Sequence, residues 1–333
     1  MSKQVLILTD KSDLHPTSVI NLLNKENVPF FRLNTEDLMV DYDFSWFHYN
    51  DSIPDFYIKD RNNEKVIWGH DILSVWYRRP EYPKNLLYTT SEEIDKHNLR
   101  ESKQFYIFLM YYLSDIYSIG NHFYDKRANS KMIQSKLAVE LGMKIAPTCF
   151  SNKKQDIIRF SEEYNYISLK CLRTHWILTE DDRVYEMCTQ KVDSKSLVSQ
   201  PEESFNQTVV FAQKYVEKKH ELRITVMGPY IFTCKLDSQA QTPSTGAVDW
   251  RQGYDYGIKH EIIDTPLEIE NFCRKYLRRL NLNFGCFDFI VTPNDEFVFL
   301  ECNPNGQWGW IEDECNVPMS EALVDCLCNR LIV

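Results

Sequence analysis

Three oxygen-bearing side chains near the C-terminus are spaced to hold a divalent metal ion. Glu301 and Asn303 lie two residues apart on a predicted strand, so both side chains point to one face of a sheet. If PNDE is a four-residue hairpin loop, Thr292 faces Phe297 and Asp288 faces Glu301. Carboxylate and amide oxygens suit Mg²⁺, which takes few protein ligands together with substrate phosphates. The pattern alone leaves open that these residues face solvent or form a turn.

The elements that would carry these side chains follow from the spacing of apolar residues. The chain opens with a strand, a helix and a second strand, an order typical of a parallel sheet with crossover helices. Later segments favour antiparallel hairpins, one of them turning at Gly228-Pro229 within 205–236. The predicted helices span 16–26, 91–113, 126–141, 266–281 and 318–331. The predicted strands include 5–8, 30–33, YISLK at 166–170 and several short strands within 43–80.

The helix at 266–281 carries the strongest start signal. Thr265 is its predicted N-cap, Pro266 suits the first helical position, and Glu268 would complete a capping box. Apolar residues then recur at steps of three and one, which indicates a single buried face. This helix is expected to cover one side of the sheet that contains the metal-binding hairpin.

Composition restricts the class of protein. The 333 residues suffice for about two domains of roughly 150 residues, and the formal net charge is −10. An acidic chain is unlike a general nucleic-acid binder, which would carry a basic face. No apolar run is long enough to span a membrane, and the opening residues do not form a signal peptide. We therefore expect a cytoplasmic protein that binds neither membranes nor nucleic acid.

The ten cysteines point to the same compartment. They are scattered, form no CxxC motif and lack zinc-ligand spacing, which favours reduced thiols. No Ser-His-Asp or Cys-His arrangement is evident in the sequence, so covalent catalysis by an enzyme nucleophile is not expected.

Several motifs together resemble one known family. The run DFIVTPNDEFVFLECNPNGQWGWIE is similar to the C-terminal signature of the ATP-grasp superfamily. More narrowly, NPNGQW with WIE, KYVEKKHELRITVMG, DWR at 249–251 and SVWYRRP at 74–80 resemble the ATP-grasp peptide ligases of the microviridin type. These are the graspetide, or ω-ester peptide, maturases, and the likeness extends to Bacteroidetes-type grasp systems.

The resemblance implies a combined α/β and α+β architecture, in which an ATP-grasp fold follows an N-terminal α/β pre-ATP-grasp domain. We expect the N-terminal domain at 1–122, a central ATP-grasp sub-domain at 123–212 and a C-terminal sub-domain with the metal-binding hairpin at 213–333. One departure is LKCLRTHWIL, which has no glycine where many ATP-grasp folds carry a glycine-rich phosphate lid.

The resemblance also implies ATP and two Mg²⁺ ions as cofactors. The phosphates would be held by Lys131, at the start of a helix, and by Lys170, at the end of a core strand. Lysine offers a point charge that tolerates a mobile phosphate geometry. Asp288, Glu301 and Asn303 match the metal ligands of the family.

The segment QKYVEKKHE resembles the hinge that binds adenosine. The backbone near Tyr215 and Val216 would bond the adenine edge, and Gln213 would reach its exocyclic amine. For the ribose hydroxyls, Glu221 fits the family spacing better than Glu217, and both stay open.

Arginines are the expected source of positive charge where an oxyanion and a phosphoryl group develop. Arg223, two residues after Glu221, and Arg251 in DWR match this catalytic role, with a surface salt bridge as the alternative for each. Arg78 and Arg79 would form either a clamp for an acidic substrate or a domain-interface pair. Asp249, in DWR, is a further candidate for substrate binding.

The activity implied by the resemblance is peptide macrocyclisation. ATP would phosphorylate Asp or Glu side chains of a ribosomal precursor peptide, which has a leader and an acidic, hydroxyl-rich core. Ser or Thr hydroxyls would then give macrolactones, or Lys amines macrolactams, on an enzyme expected to be a homodimer. One alternative is an ATP-grasp ligase for a small amino acid or a protein tail. Another is a non-catalytic nucleotide-binding module, which the intact metal set contradicts.

Overall fold

A parallel sheet opens the chain, as predicted. The structure is a computed structural model that describes residues 3–50, 52–172, 176–179, 181, 183–239, 248–250 and 258–333. Its first elements are β1 (Gln4–Thr9), α1 (Pro16–Lys25), β2 (Phe30–Asn34), β3 (Tyr42–Phe47), β4 (Asp55–Asp60), β5 (Val66–Trp68), β6 (Ile72–Tyr77), α2 (Glu92–Leu113) and β7 (Ser118–Ile119). The parallel strands have the order β2-β1-β6-β7, and β3, β4 and β5 form an antiparallel meander beside them.

An antiparallel sheet of four strands forms the middle of the chain. The elements here are α3 (His122–Ala128), α4 (Lys131–Glu140), β8 (Thr148–Ser151), α5 (Lys154–Glu162), β9 (Ile167–Lys170), β10 (Trp176–Leu178), β11 (Val184–Glu186), β12 (Gln190–Val192), α6 (Ser194–Val198), α7 (Glu203–Asn206) and β13 (Val210–Lys214). The strand order is β12-β9-β13-β8, and β10 pairs with β11 in a separate hairpin. We call this four-stranded sheet the central sheet.

A five-stranded antiparallel sheet follows, here called the C-terminal sheet. Its elements are β14 (His220–Met227), β15 (Tyr230–Leu236), β16 (His260–Ile263), α8 (Leu267–Arg279), β17 (Phe284–Val291), β18 (Phe297–Asn303), α9 (Gly309–Cys315) and α10 (Met319–Asn329). The strand order is β16-β15-β14-β17-β18, which makes β18 an edge strand. Among the described residues, no helix is long and apolar enough to cross a membrane.

The two faces of the C-terminal sheet differ in character. On one face, Phe287, Phe289 and Phe299 pack edge-on against Phe272 and Tyr276 of α8. Side chains alternate along each strand, so the residues between these aromatics point to the opposite side. That opposite side, here called the polar face, carries charged residues on β14, β17 and β18. The predicted helix thus covers the apolar face and leaves the polar face for chemistry.

The first and last elements of the chain share one core. Met319, Leu323 and Leu327 of α10 pack with Val5 and Ile7 of β1 in a continuous cluster of fully buried residues. Burial of this kind is the main favourable contribution to folding. The N-terminal sheet is therefore joined to the C-terminal sheet by apolar packing.

Three predicted elements need correction. The helix predicted at 126–141 is two helices, α3 and α4, separated at Asn129 and Ser130. The capping box is wrong, because the Thr265 hydroxyl bonds the Thr233 hydroxyl at 2.7 Å and Pro266 is the N-cap of α8. The segment 205–236, predicted as hairpin strands, is divided: its first strand, at 210–214, belongs to the central sheet, and the strands on either side of Gly228-Pro229 belong to the C-terminal sheet. The prediction at 318–331 is confirmed by α10, but α9 was not predicted.

A buried glutamine holds the edge strand β18 in place. Gln134 of α4 donates through Nε2 to the carbonyls of Ala128 and Cys302, both at 2.7 Å. Its Oε1 accepts from the Cys302 amide at 3.2 Å. The side-chain amide therefore acts as a strand partner for Cys302, the residue between Glu301 and Asn303.

We expect Gln134→Leu to destabilise the protein by about 2–4 kcal/mol, because each buried backbone group left without a partner costs about 1–3 kcal/mol. Urea unfolding measures this difference. Met132→Ala, an exposed change on the same helix, is the matched control and should stay within about 0.5 kcal/mol of wild type. Equal stability of the two variants would show that the Gln134 contacts do not hold β18.

Candidate functional site

Four charged side chains form a row across the polar face, which we call the charge row. Arg223 on β14 is the register partner of Asp288 on β17, and Asp288 is the partner of Glu301 on β18. Arg223 Nη1 donates to both Asp288 carboxylate oxygens, at 3.0 and 2.8 Å. Lys131, at the start of α4, forms an ion pair with Glu301. Two adjacent carboxylates are thus flanked by two cations.

A β-bulge in β18 brings Glu301 to the polar face. Next to the loop, Val291 pairs with Phe297, and this register would place Leu300 opposite Asp288. Asp288 instead pairs with Glu301, because β18 contains one extra residue at this point. Without the bulge, the alternation of side chains would turn Glu301 into the core under α8.

The predicted pairing of Asp288 with Glu301 is confirmed, although the predicted loop is wrong. The loop contains five residues, 292–296, so Thr292 does not face Phe297. Thr292 lies within the loop, where its amide donates to the Glu296 carbonyl at 3.0 Å. A four-residue loop without a bulge and a five-residue loop with one give the same partner for Asp288.

Arg223 is buried within the charge row. Its Nη2 donates to the Gln307 carbonyl at 3.1 Å, while Nη1 contacts Asp288. Burial alone would lower the pKa of Arg223, but the charge of Asp288 outweighs it and the pKa is raised. The guanidinium therefore stays charged and links the metal-binding hairpin to the loop beyond β18.

Asn303 ends β18 and begins a tight turn. Its Oδ1 accepts from the Asn305 amide at 3.2 Å, and its carbonyl accepts from the Gly306 amide at 3.2 Å. A β-carbon on Gly306 would lie 2.4 Å from Cys286 Cβ, so only glycine fits there. The alternative of a turn for Asn303 is therefore realised, while its side chain still shares a face with Glu301.

Lys170 brings the central sheet to the charge row. It ends β9, and its Nζ donates to Gln213 Oε1 at 2.7 Å. The pKa of Lys170 is lowered to about 8, mainly by burial. The positive charges of Lys218 and Lys131 also lower this pKa, whereas the negative charge of Glu301 raises it. The two predicted phosphate lysines, on α4 and β9, are thus both influenced by the carboxylate of Glu301.

Gln213 lies on β13, the strand next to β9, and accepts the hydrogen bond from Lys170. Its Nε2 donates to the Thr148 hydroxyl at 3.0 Å, so both ends of the buried amide have partners. The next residues form the predicted hinge. The Tyr215 amide already donates to the Tyr166 carbonyl at 3.0 Å, whereas the Val216 amide has no partner in the part of the chain that the structure describes. Of these two amides, only that of Val216 is available to a ligand.

Glu221 and Glu217 occupy different environments. Glu221 is 5% exposed and lies 2.9 Å from the Lys218 ammonium, and its buried Oε2 has no hydrogen bond to any residue that the structure describes. Glu217 is exposed and pairs with Lys191 at 3.3 Å. A buried carboxylate oxygen without a donor is costly unless a ligand supplies one. This favours Glu221 over Glu217 as the ribose contact.

The arginine pair after β6 is divided between two environments. Arg78 is 2% exposed, lies 3.1 Å from Asp13 and donates to the Asn305 carbonyl at 3.0 Å. Burial lowers the pKa of Arg78 to about 10, while Asp13 opposes the shift. Arg78 is therefore an interface residue, as the second alternative predicted. Arg79 is exposed and stays a prediction as a substrate contact.

Asp249 and Arg251 complete the predicted set. Asp249 is buried, accepts from the Thr189 amide at 3.3 Å and contributes to the field at Lys170. Arg251 lies outside the described residues. Residues 173–175, within the segment predicted to lack a glycine-rich lid, also lie outside them.

Sequence reasoning missed four residues of the site. Lys218 pairs with Glu221 and donates to the Val248 carbonyl at 2.8 Å. Gln134 donates a hydrogen bond to the Cys302 carbonyl of β18, and Asn305 donates one to Asp125 of α3. Only Lys218 had a usable signal, because it belongs to the hinge motif. The others act through contacts that no local spacing encodes.

Comparisons with known proteins identify the fold. The family described as the MvdD pre-ATP grasp domain matches residues 4–122. No curated protein matches the chain. A solved structure, the Chryseobacterium gregarium RiPP-associated ATP-grasp ligase in complex with ADP and a leader and core peptide, is 26% identical with a TM-score of 0.87. The match covers 98% of this chain and 97% of that chain.

Two macrocyclases from Microcystis aeruginosa MRC are also similar. MdnC bound with precursor peptide MdnA is 25% identical with a TM-score of 0.82, and MdnB is 25% identical with a TM-score of 0.76. Each match covers 98% of this chain and 99% of that chain. The chain therefore has an ATP-grasp fold behind a pre-ATP-grasp domain, and the resemblance drawn from its motifs is confirmed.

The site residues fit a magnesium nucleotide. Asp288, Glu301 and Asn303 offer hard oxygen ligands on one face, and two carboxylates with one amide leave positions for phosphate oxygens and water. Lys131 and Lys170 would supply positive charge for the phosphates. No set of three or more His, Cys, Asp and Glu side chains is clustered for a metal within the described ranges.

Lys170 should make nucleotide binding depend on pH. A polyphosphate favours the charged ammonium, so ADP binding above pH about 8 must take up a proton and should weaken by up to about tenfold per pH unit. Below pH 8 the lysine is already charged and no uptake is expected. Calorimetry in buffers of different ionisation enthalpy counts the protons.

Lys170→Met keeps the chain length of the side chain without its charge and serves as the comparison. It should bind ADP more weakly and lose the proton uptake that wild type shows near pH 8.5. Equal uptake in both proteins would assign the titration to another group and remove Lys170 from the phosphate site.

Proposed function

We propose that this ATP-grasp ligase macrocyclises a ribosomal precursor peptide. It activates Asp or Glu side chains of the peptide core by phosphorylation from ATP. It then joins each of them to a Ser or Thr hydroxyl, giving a macrolactone, or to a Lys amine, giving a macrolactam. ADP and phosphate are the other products.

The observation that carries this proposal is the end-to-end similarity to ligases solved with their peptides. The Chryseobacterium ligase holds a leader and a core peptide, and MdnC holds its precursor peptide. In each case the match extends over nearly the whole of both chains, so it includes the parts that surround a peptide and, for the Chryseobacterium ligase, those that bind ADP.

The charge row fits the chemistry. A carboxylate is a poor electrophile, so one of its oxygens must become part of a phosphate leaving group. Mg²⁺, when bound, would neutralise phosphate charge during this transfer. Lys131 and Lys170 hold the transferring end by charge, and Arg223 orients Asp288 through hydrogen bonds to both of its oxygens. Fixed charges in a site that excludes water stabilise the charge that develops there.

Substrate contacts are assigned by position. Arg79 is exposed after β6, next to the buried Arg78, and offers a guanidinium to an acidic core residue. Asp249 lies near Lys170 and can accept from a peptide donor. Arg251 keeps its proposed catalytic role from the DWR motif.

We also infer the setting in which the enzyme works. The ten cysteines are free thiols, which fits a reducing cytoplasm that supplies ATP. A net charge of −10 disfavours nucleic acid as a partner. We retain a homodimer as the proposed assembly.

The test is mass spectrometry of a precursor peptide encoded beside the gene and treated with ATP, Mg²⁺ and the enzyme. Each ester or amide formed lowers the peptide mass by one water molecule. Mild alkaline hydrolysis then opens esters and leaves amides closed, which separates the two products. We expect ATP-dependent loss of one or more waters.

Two matched variants connect this activity to the site. Glu301→Gln keeps the size of the side chain but removes a charge from the charge row, so it should abolish dehydration. Glu296→Gln makes the same change in the same hairpin, at an exposed residue paired with Lys144, and should leave activity unchanged. Full activity of Glu301→Gln would contradict the metal assignment. ATP consumption on a free amino acid, with no change in any peptide, would contradict the proposed substrate.

A further inference from the structure

Asn305, in the turn after β18, forms hydrogen bonds with three different parts of the protein. The Asn305 amide donates to Asn303 Oδ1 at 3.2 Å. Its side-chain Nδ2 donates to Asp125 Oδ2 at 3.0 Å, and its carbonyl accepts from Arg78 Nη1 at 3.0 Å. Asn305 therefore ties the proposed metal ligand Asn303 to α3 and to the end of β6.

Two of the partners of Asn305 are shielded from water, while Asn305 itself is half-buried. Asp125 is 5% exposed and Arg78 is 2% exposed. Arg78 also lies 3.1 Å from Asp13, which follows β1, so the N-terminal sheet holds it in place. A buried hydrogen bond cannot be exchanged for one to water, so its loss leaves a polar group without a partner. Asp125 and Arg78, here called the Asp125–Arg78 anchor, therefore hold Asn305 in a fixed position.

The opposite side of the same turn is also fixed. Arg223 Nη2 donates to the Gln307 carbonyl at 3.1 Å, and Gly306 packs tightly against Cys286 of β17. The turn is thus held between the charge row and the Asp125–Arg78 anchor. Among the described residues, the hydrogen bond from Asn305 to Asp125 is the only side-chain hydrogen bond between this turn and α3.

We propose that Asp125 is a positioning residue for the metal site: through Asn305, it fixes the direction in which Asn303 presents its amide oxygen. This inference rests on the proposed function, because it takes Asn303 as a metal ligand. Residues that orient a metal ligand through hydrogen bonds commonly change metal affinity about 10–100-fold when they are removed. Helix α3 thereby contributes to metal binding without contacting the metal.

The role of Asp125 is to accept a hydrogen bond, and its charge is not needed. Burial raises the pKa of Asp125 to about 8, while the hydrogen bond from Asn305 opposes the shift. Asparagine at this position offers an Oδ1 of the same reach to Asn305. Asp125→Asn should therefore preserve the anchor, whereas Asp125→Ala removes it.

The experiment measures how Mg²⁺ strengthens ADP binding in the full-length protein. Calorimetric titrations with ADP over a range of Mg²⁺ concentrations give the half-saturating Mg²⁺ concentration for each variant. We expect this value to rise about 10–100-fold in Asp125→Ala and to stay within about threefold of wild type in Asp125→Asn. ADP affinity without Mg²⁺ should be equal in all three proteins.

Two further variants complete the design. Asn305→Ala removes the other partner and should match Asp125→Ala, which keeps the test informative if that protein fails to fold. Tyr117→Phe removes a hydrogen bond from the hydroxyl to the Leu331 carbonyl, a contact between the same N- and C-terminal parts of the chain but remote from the turn. It should leave Mg²⁺ dependence unchanged, which separates loss of the anchor from general loosening between these parts.

Unchanged Mg²⁺ dependence in folded Asp125→Ala and Asn305→Ala would overturn the inference. Equal impairment of Asp125→Asn and Asp125→Ala would also overturn it, because the carboxyl group itself would then be required. The readout uses no peptide. If Mg²⁺ and ADP bind as expected but no peptide is dehydrated, the proposed function fails on its substrate and the positioning role stands.

Discussion

The constraint that organises the structure is the neutralisation of two carboxylates held side by side on a sheet. Asp288 and Glu301 are direct partners on neighbouring strands, so each needs a cation. Arg223 supplies one from the next strand and Lys131 supplies the other from a helix. A buried charge that loses its partner costs about 3–5 kcal/mol, so these elements must fold in register together. This arrangement depends on three features: the bulge in β18, the break before α4 and the Gln134 contact to Cys302.

The same arrangement explains why nucleotide chemistry belongs at this place. The apolar face of the C-terminal sheet is filled by aromatic residues beneath α8, so charged groups can gather only on the polar face. Lys170 reaches the same region from the central sheet, where burial lowers its pKa and the nearby Lys218 and Lys131 lower it further. The N-terminal part adds no charge to the row, yet it holds the adjoining turn through Arg78, and α3 holds the same turn through Asp125.

Much of this could be predicted from the sequence where the information is local. The parallel opening, the helices at 91–113 and 318–331, the strand ending in Lys170 and the hairpin pairing all follow from periodicity or motif. The bulge could not be predicted, because the two possible loops give the same partner for Asp288. The prediction that Thr265 caps α8 was wrong because the Thr265 side chain forms a hydrogen bond with the hydroxyl of Thr233, which is distant in sequence. Asp125 and Asn305 are 180 residues apart, and only the folded chain brings them together.

The position of the metal itself tests the assignment of Asp288, Glu301 and Asn303 most directly. A crystal of the protein grown with ADP and Mn²⁺, used in place of Mg²⁺, would show the metal by its anomalous scattering. We expect an anomalous peak within direct coordination distance of the oxygens of Asp288, Glu301 and Asn303, about 2.0–2.2 Å for a hard cation of this size. A metal bound by phosphate oxygens alone, with Asp288 still closed on Arg223 and Glu301 on Lys131, would contradict this assignment.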